Sequence, residues 1–204
     1  MTEAHAVRGA GRLSADERRR SLVEAGLRVF AGGSYAAATT AGIAREAGVS
    51  EPILYRHFGS KRELYLACLE EAWRRLEGAT STEGDALATG TSPEALGRLV
   101  KETLPLRVAM ANLWLQAITE AGGDPELRRF LRRHIRQVHD VHAAALRRAQ
   151  AAGTVAADRD ADAEAWIFLA GTLLLSLADR LGGLLGEREL DAVRAQRLRW
   201  LTGD

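Results

Sequence analysis

Tyr55, Arg56 and His57 stand side by side, and Lys61 follows within one helical turn. A phenol, a guanidinium, an imidazole and an ammonium share one capacity: each donates hydrogen bonds, so together they suit the oxygens of a phosphate. They do not suit catalysis, because no nucleophile–base pair, phosphate-cradling glycine loop or metal set accompanies them. His134, His139 and His142 raise the question of a metal. Only His139 and His142 are close enough on a helix to share an ion, and no carboxylate or thiol completes a tetrahedral set nearby. Neither a metal nor a cofactor is expected.

The elements that must position these groups are helices. The chain has 204 residues, 47% hydrophobic and 27% charged, with only 5% aromatics and four prolines. Abundant Ala, Leu, Arg and Glu, without alternating Val, Ile and Thr, predict an all-α fold. Ser14-Ala-Asp-Glu17 and Ser60-Lys-Arg-Glu63 read as capping boxes. Between them Thr39 or Thr40 caps a second helix, and Ser50 a third. The fourth helix runs from Ser60 to about Glu77, and the glycine-rich "GATSTEGDALATGT" from Gly78 to Thr91 reads as a loop. Pro93 and Pro125 each open a helix behind a good cap, whereas Pro105 should break or kink the segment it lies in. Further helices are expected from about Pro125 to Ala152, Ala161 to Leu181 and Glu187 to Leu201.

Charge is unevenly spread although the net is only +1. Arg8 to Arg62 holds ten basic residues against five acidic ones. Residues 1–13 lack the apolar stretch of a signal peptide and read as a disordered basic arm. The most apolar run, Trp166 to Leu177, is shorter than the ~18 residues of a membrane span. The single cysteine, Cys68, excludes an internal disulfide, fits a reducing cytoplasm and occupies a core position.

Within "TTAGIAREAGVSEPILYRHFGSK", small Ala44 permits two helices to cross closely, and Gly48 allows the positive φ of a tight turn. Val49 and Leu54 hold the second helix steeply against the first. This is the signature of a helix-turn-helix, whose second helix lies in the DNA major groove. That helix has about two turns, and its N-terminus favours phosphate. Lys61 opposes the dipole of its own helix, which points it towards an external anion.

From Ser14 to about Glu70 the chain resembles the DNA-binding region of the TetR family of bacterial transcriptional repressors. Thr39-Thr40, Ala44, Gly48-Val49-Ser50, Leu54-Tyr55, His57-Phe58 and Lys61 carry the likeness, while the C-terminal two-thirds match only in helical layout. The resemblance implies phosphate contacts from Thr40, Tyr55, Lys61 and His57, with Thr39 and Ser50 on the same DNA-facing surface. It implies base reading by Glu51, Pro52, Ile53 and Arg56; Ala41 and Gly42 are too short to reach a base. Glu51 also fits a duller role as a first-turn dipole partner. Residues 1–60 would form the head, and residues 61–204 an effector-binding and dimerisation bundle.

The helix over 161–181 is apolar on more than one side, which calls for burial all round. A second subunit explains that best, with Phe168, Gly171, Leu175, Leu190, Val193 and Trp200 at the interface. The resemblance implies the same homodimer, and two-fold symmetry then predicts a palindromic operator. It also implies an effector pocket, for which Met110, Trp114, Ile118 and His134 are the candidates; plain core packing is the alternative for each. The functional expectation is a ligand-responsive repressor in the cytoplasm, released from double-stranded DNA by a small hydrophobic effector. A helical-bundle enzyme or carrier is the competing reading, separated from the first by salt-dependent duplex binding.

Overall fold

The computed structural model describes residues 14–203, apart from the side chains of Pro93 and Glu94. The expected N-terminal arm lies outside those residues. Among the described residues every regular element is helical: α1 (Ala15–Ala31), α2 (Thr40–Glu46), α3 (Glu51–His57), α4 (Lys61–Ala88), α5 (Pro93–Glu120), α6 (Pro125–Ala151), α7 (Ala161–Leu181) and α8 (Glu187–Thr202). The all-α expectation holds.

Local chemistry sets most boundaries. Ser14 Oγ accepts from the Glu17 amide at 3.2 Å while Glu17 accepts from the Ser14 amide at 2.7 Å, a complete capping box. Thr39 Oγ1, not Thr40, caps α2 by accepting from Gly42 N at 3.0 Å. Ser60 caps α4, but Glu63 reaches the amide of Gly59 instead of closing the second box. Asp124 caps α6 through the amides of Glu126 and Leu127.

Two boundaries differ from expectation, the first for a tertiary reason. The stretch read as a loop after Gly78 is the last part of α4, which continues to Ala88. Weak local helix propensity is overridden by packing: Thr80, Glu83 and Gly84 are buried, and Glu83 is ion-paired with Arg107 of α5. A Cβ on Gly84 would stand 2.8 Å from Ala145 Cβ, so glycine permits α4 and α6 to cross. Pro105 likewise does not end its segment; α5 runs through it as one helix of 28 residues.

α4 is the axis of the molecule, packed on α1, α5 and α6, while α7 covers α5 and α6. One apolar core extends from Leu22 in α1 to Leu169 in α7. Polar ties cross it. Tyr65 OH donates to Leu113 O at 2.6 Å, and Gln116 Nε2 donates to Phe30 O at 2.9 Å and Gly33 O at 3.2 Å.

α7 is buried on one side only. Its inner face carries Ala165, Leu169, Thr172 and Ser176, and Ser176 donates to Asn112 Oδ1 of α5 at 2.6 Å. Small and hydroxyl side chains face inward because α7 lies close against α5. Trp166, Ile167, Leu174, Leu177 and Leu181 are left exposed. At 21 residues α7 is long and apolar enough to cross a membrane by length and composition, which the 166–177 run alone did not reveal. α8 buries none of its residues in this chain.

Candidate nucleic-acid interface

α2 and α3 have seven residues each, too few to persist alone, so burial must hold them. Ile43, Ala44, Leu54 and Phe58 are at most 1% exposed and join the core under α1 and α4. In the turn, Ala47 N donates to Ile43 O and Val49 N to Ala44 O, both at 2.9 Å. Gly48 between them has φ +68°, and a Cβ there would meet nothing within 4 Å. The backbone conformation, not lack of space, requires glycine.

The outer face of this unit carries Ser50, Pro52, Tyr55 and Arg56, all exposed, with Ile53 and His57 half-buried at its edge. Ser50 occupies the N-cap position of α3 but makes no side-chain capping bond. Thr40 Oγ1 donates to Glu51 Oε1 at 2.5 Å and lies 3.2 Å from Tyr55 OH. A threonine has one hydroxyl hydrogen, so Tyr55 donates in the second contact. The relay from Tyr55 through Thr40 to Glu51 therefore ties α3 to the first turn of α2. It also commits Glu51 to Thr40, in addition to its favourable place in the first turn of a helix.

Lys61 has an internal role that the sequence did not disclose. Its Nζ donates to Tyr35 O at 2.9 Å and Ala38 O at 3.0 Å, and lies 4.3 Å from the centre of the Tyr35 ring. Two of three ammonium donors thus hold the α1–α2 connection. By contrast, Arg56 has no hydrogen-bond or ion-pair partner among the described residues.

Arg45, which sequence reasoning did not single out, is also exposed and has no partner among the described residues, in the last turn of α2. A groove of about 660 Å³ runs between Arg18 and Ser21 of α1 and Arg45, Gly48, Ser50 and Ile53. The signal for Arg45 was its place on the polar side of α2, opposite buried Ile43 and Ala44.

The residues expected in an effector pocket are not all brought together. Met110, Trp114 and His134 are buried, but Ile118 is 48% exposed because it falls at the rim of the α5 stripe. His134 stacks on Phe130 and meets Trp114 edge-on, with centroids 5.6 and 6.1 Å apart. Its Nε2 and the Trp114 Nε1 are buried without a partner among the described residues. Burial pushes the His134 pKa down to about 4, so the ring is neutral at pH 7.

Of the residues expected at a subunit interface, Gly171, Val193 and Trp200 are exposed, and Leu175 and Leu190 are half-buried. Phe168 instead turns inward, against Arg107 and His142. Burial all round, expected of this helix, is not met within the chain: Trp166, Leu177 and Leu181 are exposed as well.

Residues 22–68, the stretch that builds this interface, match the model for bacterial regulatory proteins of the tetR family. This stretch is therefore similar to the tetR family of bacterial regulatory proteins. The chain is 46% identical over 84 residues to the HTH-type transcriptional activator FasR of Mycolicibacterium smegmatis, covering 41% of this chain and 37% of that protein. A second relative is the HTH-type transcriptional regulator BetI of Rhizobium meliloti, 33% identical over 120 residues, or 56% of this chain and 57% of BetI. The chain thus spans little more than a third and a half of the lengths of these relatives, both named as regulators and not as enzymes. A TetR-family transcriptional regulator from Mesorhizobium loti shares the whole fold, with a TM-score of 0.72 at 16% identity, covering 92% of this chain and 96% of that one.

Proposed function

We propose that the protein is a ligand-responsive transcriptional repressor that binds a palindromic operator as a homodimer in the cytoplasm. The single observation that carries this is the outer face of α3, where Arg56 is exposed and unpaired on a helix fixed by Leu54 and Phe58. A short helix held rigidly from behind, with a free guanidinium in front, suits the guanine edge or phosphates of a major groove. Ser50, Pro52, Ile53 and Tyr55 share that face, and Arg45 widens it. Thr39, Thr40, His57 and the remaining donor of Lys61 lie around it.

Dimerisation is supported by the exposed Ile167, Leu174, Leu177 and Leu181 of α7, together with α8 and its Leu190, Val193 and Trp200. Two such pairs from two chains make a four-helix bundle that would cover both. Residues 1–60 then read DNA, while residues 61–204 dimerise and bind a small, largely hydrophobic effector that releases the operator.

Enrichment of random duplexes by the purified protein tests this reading. A palindromic winner is expected, bound with strong salt dependence. Arg56→Ala should change the preference among winners, and Arg45→Ala should lower the salt slope by about one phosphate contact. Absence of salt-dependent duplex binding would remove the regulator reading.

A further inference from the structure

The interior of the bundle holds polar groups that the head does not use. Arg107 of α5 is 2% exposed and pairs with Glu83 of α4, while Thr103 Oγ1 donates to the other Glu83 oxygen at 2.6 Å. The guanidinium carbon lies 4.7 Å from the centre of the Phe168 ring of α7. His142 of α6 packs on the same ring, centroids 4.3 Å apart. Phe168 therefore joins α5 and α6 where both meet α7, and Glu83 brings in α4.

Three atoms on the helices that meet here are buried and unpartnered among the described residues: Thr80 Oγ1, Arg107 Nη1 and His142 Nε2. Their hydrogen-bonding senses are fixed. Arg107 Nη1 can only donate. His142 Nδ1 lies 2.8 Å from Val138 O, which can only accept, so Nδ1 carries the proton and Nε2 of the neutral ring is an acceptor. Thr80 lies one turn before Glu83 on the same face of α4. Thr82, Thr119 and Thr172 all donate to the carbonyl four residues earlier in their helices, the usual refuge of a helical threonine. Thr80 does not. Native interiors leave few such atoms unsatisfied, and three on these helices point to an external group.

We propose that the meeting point of α4, α5, α6 and α7 binds the polar end of a neutral, amide-like ligand with an apolar body, through Thr80, Arg107 and His142. An amide carbonyl accepts from Arg107 Nη1 while the two amide N–H groups donate to His142 Nε2 and Thr80 Oγ1. Glu83 already neutralises Arg107 and the histidine is uncharged, so neither a carboxylate nor a quaternary ammonium finds a counter-ion. Phe168, and Met110 one turn beyond Arg107, offer apolar surface to the body. This site rests on the effector reading above and supplies its chemistry.

The test uses the full chain with three probes of equal length: decanamide, decanoate and decyltrimethylammonium. Decanamide should raise the thermal midpoint saturably, and the two charged probes should not. Thr80→Val and His142→Phe each delete an unpartnered polar atom. Both should keep the ligand-free midpoint and duplex binding, yet lose about tenfold in decanamide affinity, the equivalent of one hydrogen bond. A response to decanoate or decyltrimethylammonium equal to that of decanamide, no response to decanamide, or an undiminished response in both variants overturns the site. A decanamide response lost in the variants, from a protein that binds no duplex, would support the site while removing the regulator reading.

Discussion

Arg62 Nη1 donates to Asp124 Oδ2 at 2.8 Å, so the second residue of α4 is tied to the residue that caps α6. A second bond runs from Arg62 to Glu126. The Arg62 guanidinium holds the Asp124 carboxyl below its ordinary pKa, helped by the capped amides of Leu127 and Glu126. Asp124 thus serves as both bridge and helix cap, whereas Arg62 serves only the bridges to Asp124 and Glu126. Asp124→Ala should lower the urea midpoint more than Arg62→Ala, and the pair should be non-additive in a double-mutant cycle. Equal, additive losses would dissociate the bridge from the cap.

The α4–α6 crossing makes a sharper stability prediction. Gly84→Ala places a methyl 2.8 Å from Ala145 Cβ and should cost roughly 1–3 kcal/mol by overpacking. Ala145→Gly in the same chain should recover part of that loss, although it carries a helix penalty of about 1 kcal/mol itself. Chemical denaturation of the two single variants and the double variant decides; no recovery would mean that the two helices separate instead of clashing.

Stability should fall with acid through two histidines. Burial holds both His134 and His142 near pKa 4, against 6.5 for an exposed ring, with the nearby Arg107 charge contributing at His142. The unfolded chain therefore takes up protons first. Stability is complete above about pH 6.5 and is lost as pH falls towards about 4, by on the order of 3 kcal/mol per ring. His134→Phe should flatten the midpoint-against-pH curve over that interval. An unchanged curve would show that the ring is not the titrating group.

Leu174 is 47% exposed on the outward stripe of α7. Leu174→Arg should leave the helical circular dichroism intact and yield a monomer in sedimentation velocity. A dimer of unchanged affinity would move the subunit contact away from α7.

The head was legible because its requirements are local. Gly48 announces a positive φ, Ala44 a close crossing, and Ser14 and Thr39 their caps. The bundle was less legible because its requirements are set by partners far along the chain. Nothing beside Thr80 or Gly84 in the sequence indicates that Ala145 and Arg107 will pack there, so the local signal of the glycine-rich stretch is that of a loop. α7 has apolar residues on every side, so periodicity could not say which side faced inward. Ser176 and Thr172 decided it through their closeness to α5. Lys61 was read by its dipole alone, without the carbonyls of Tyr35 and Ala38.

Gln116 grips two carbonyls at the tail of α1 with a single amide, from the C-terminal part of α5, beyond Met110 and Leu113. Any sliding of α5 along its axis must either drag that tail with it or surrender both bonds at once. Small displacements in the bundle would then reach the reading surface as rigid-body movement, with little slack to absorb them.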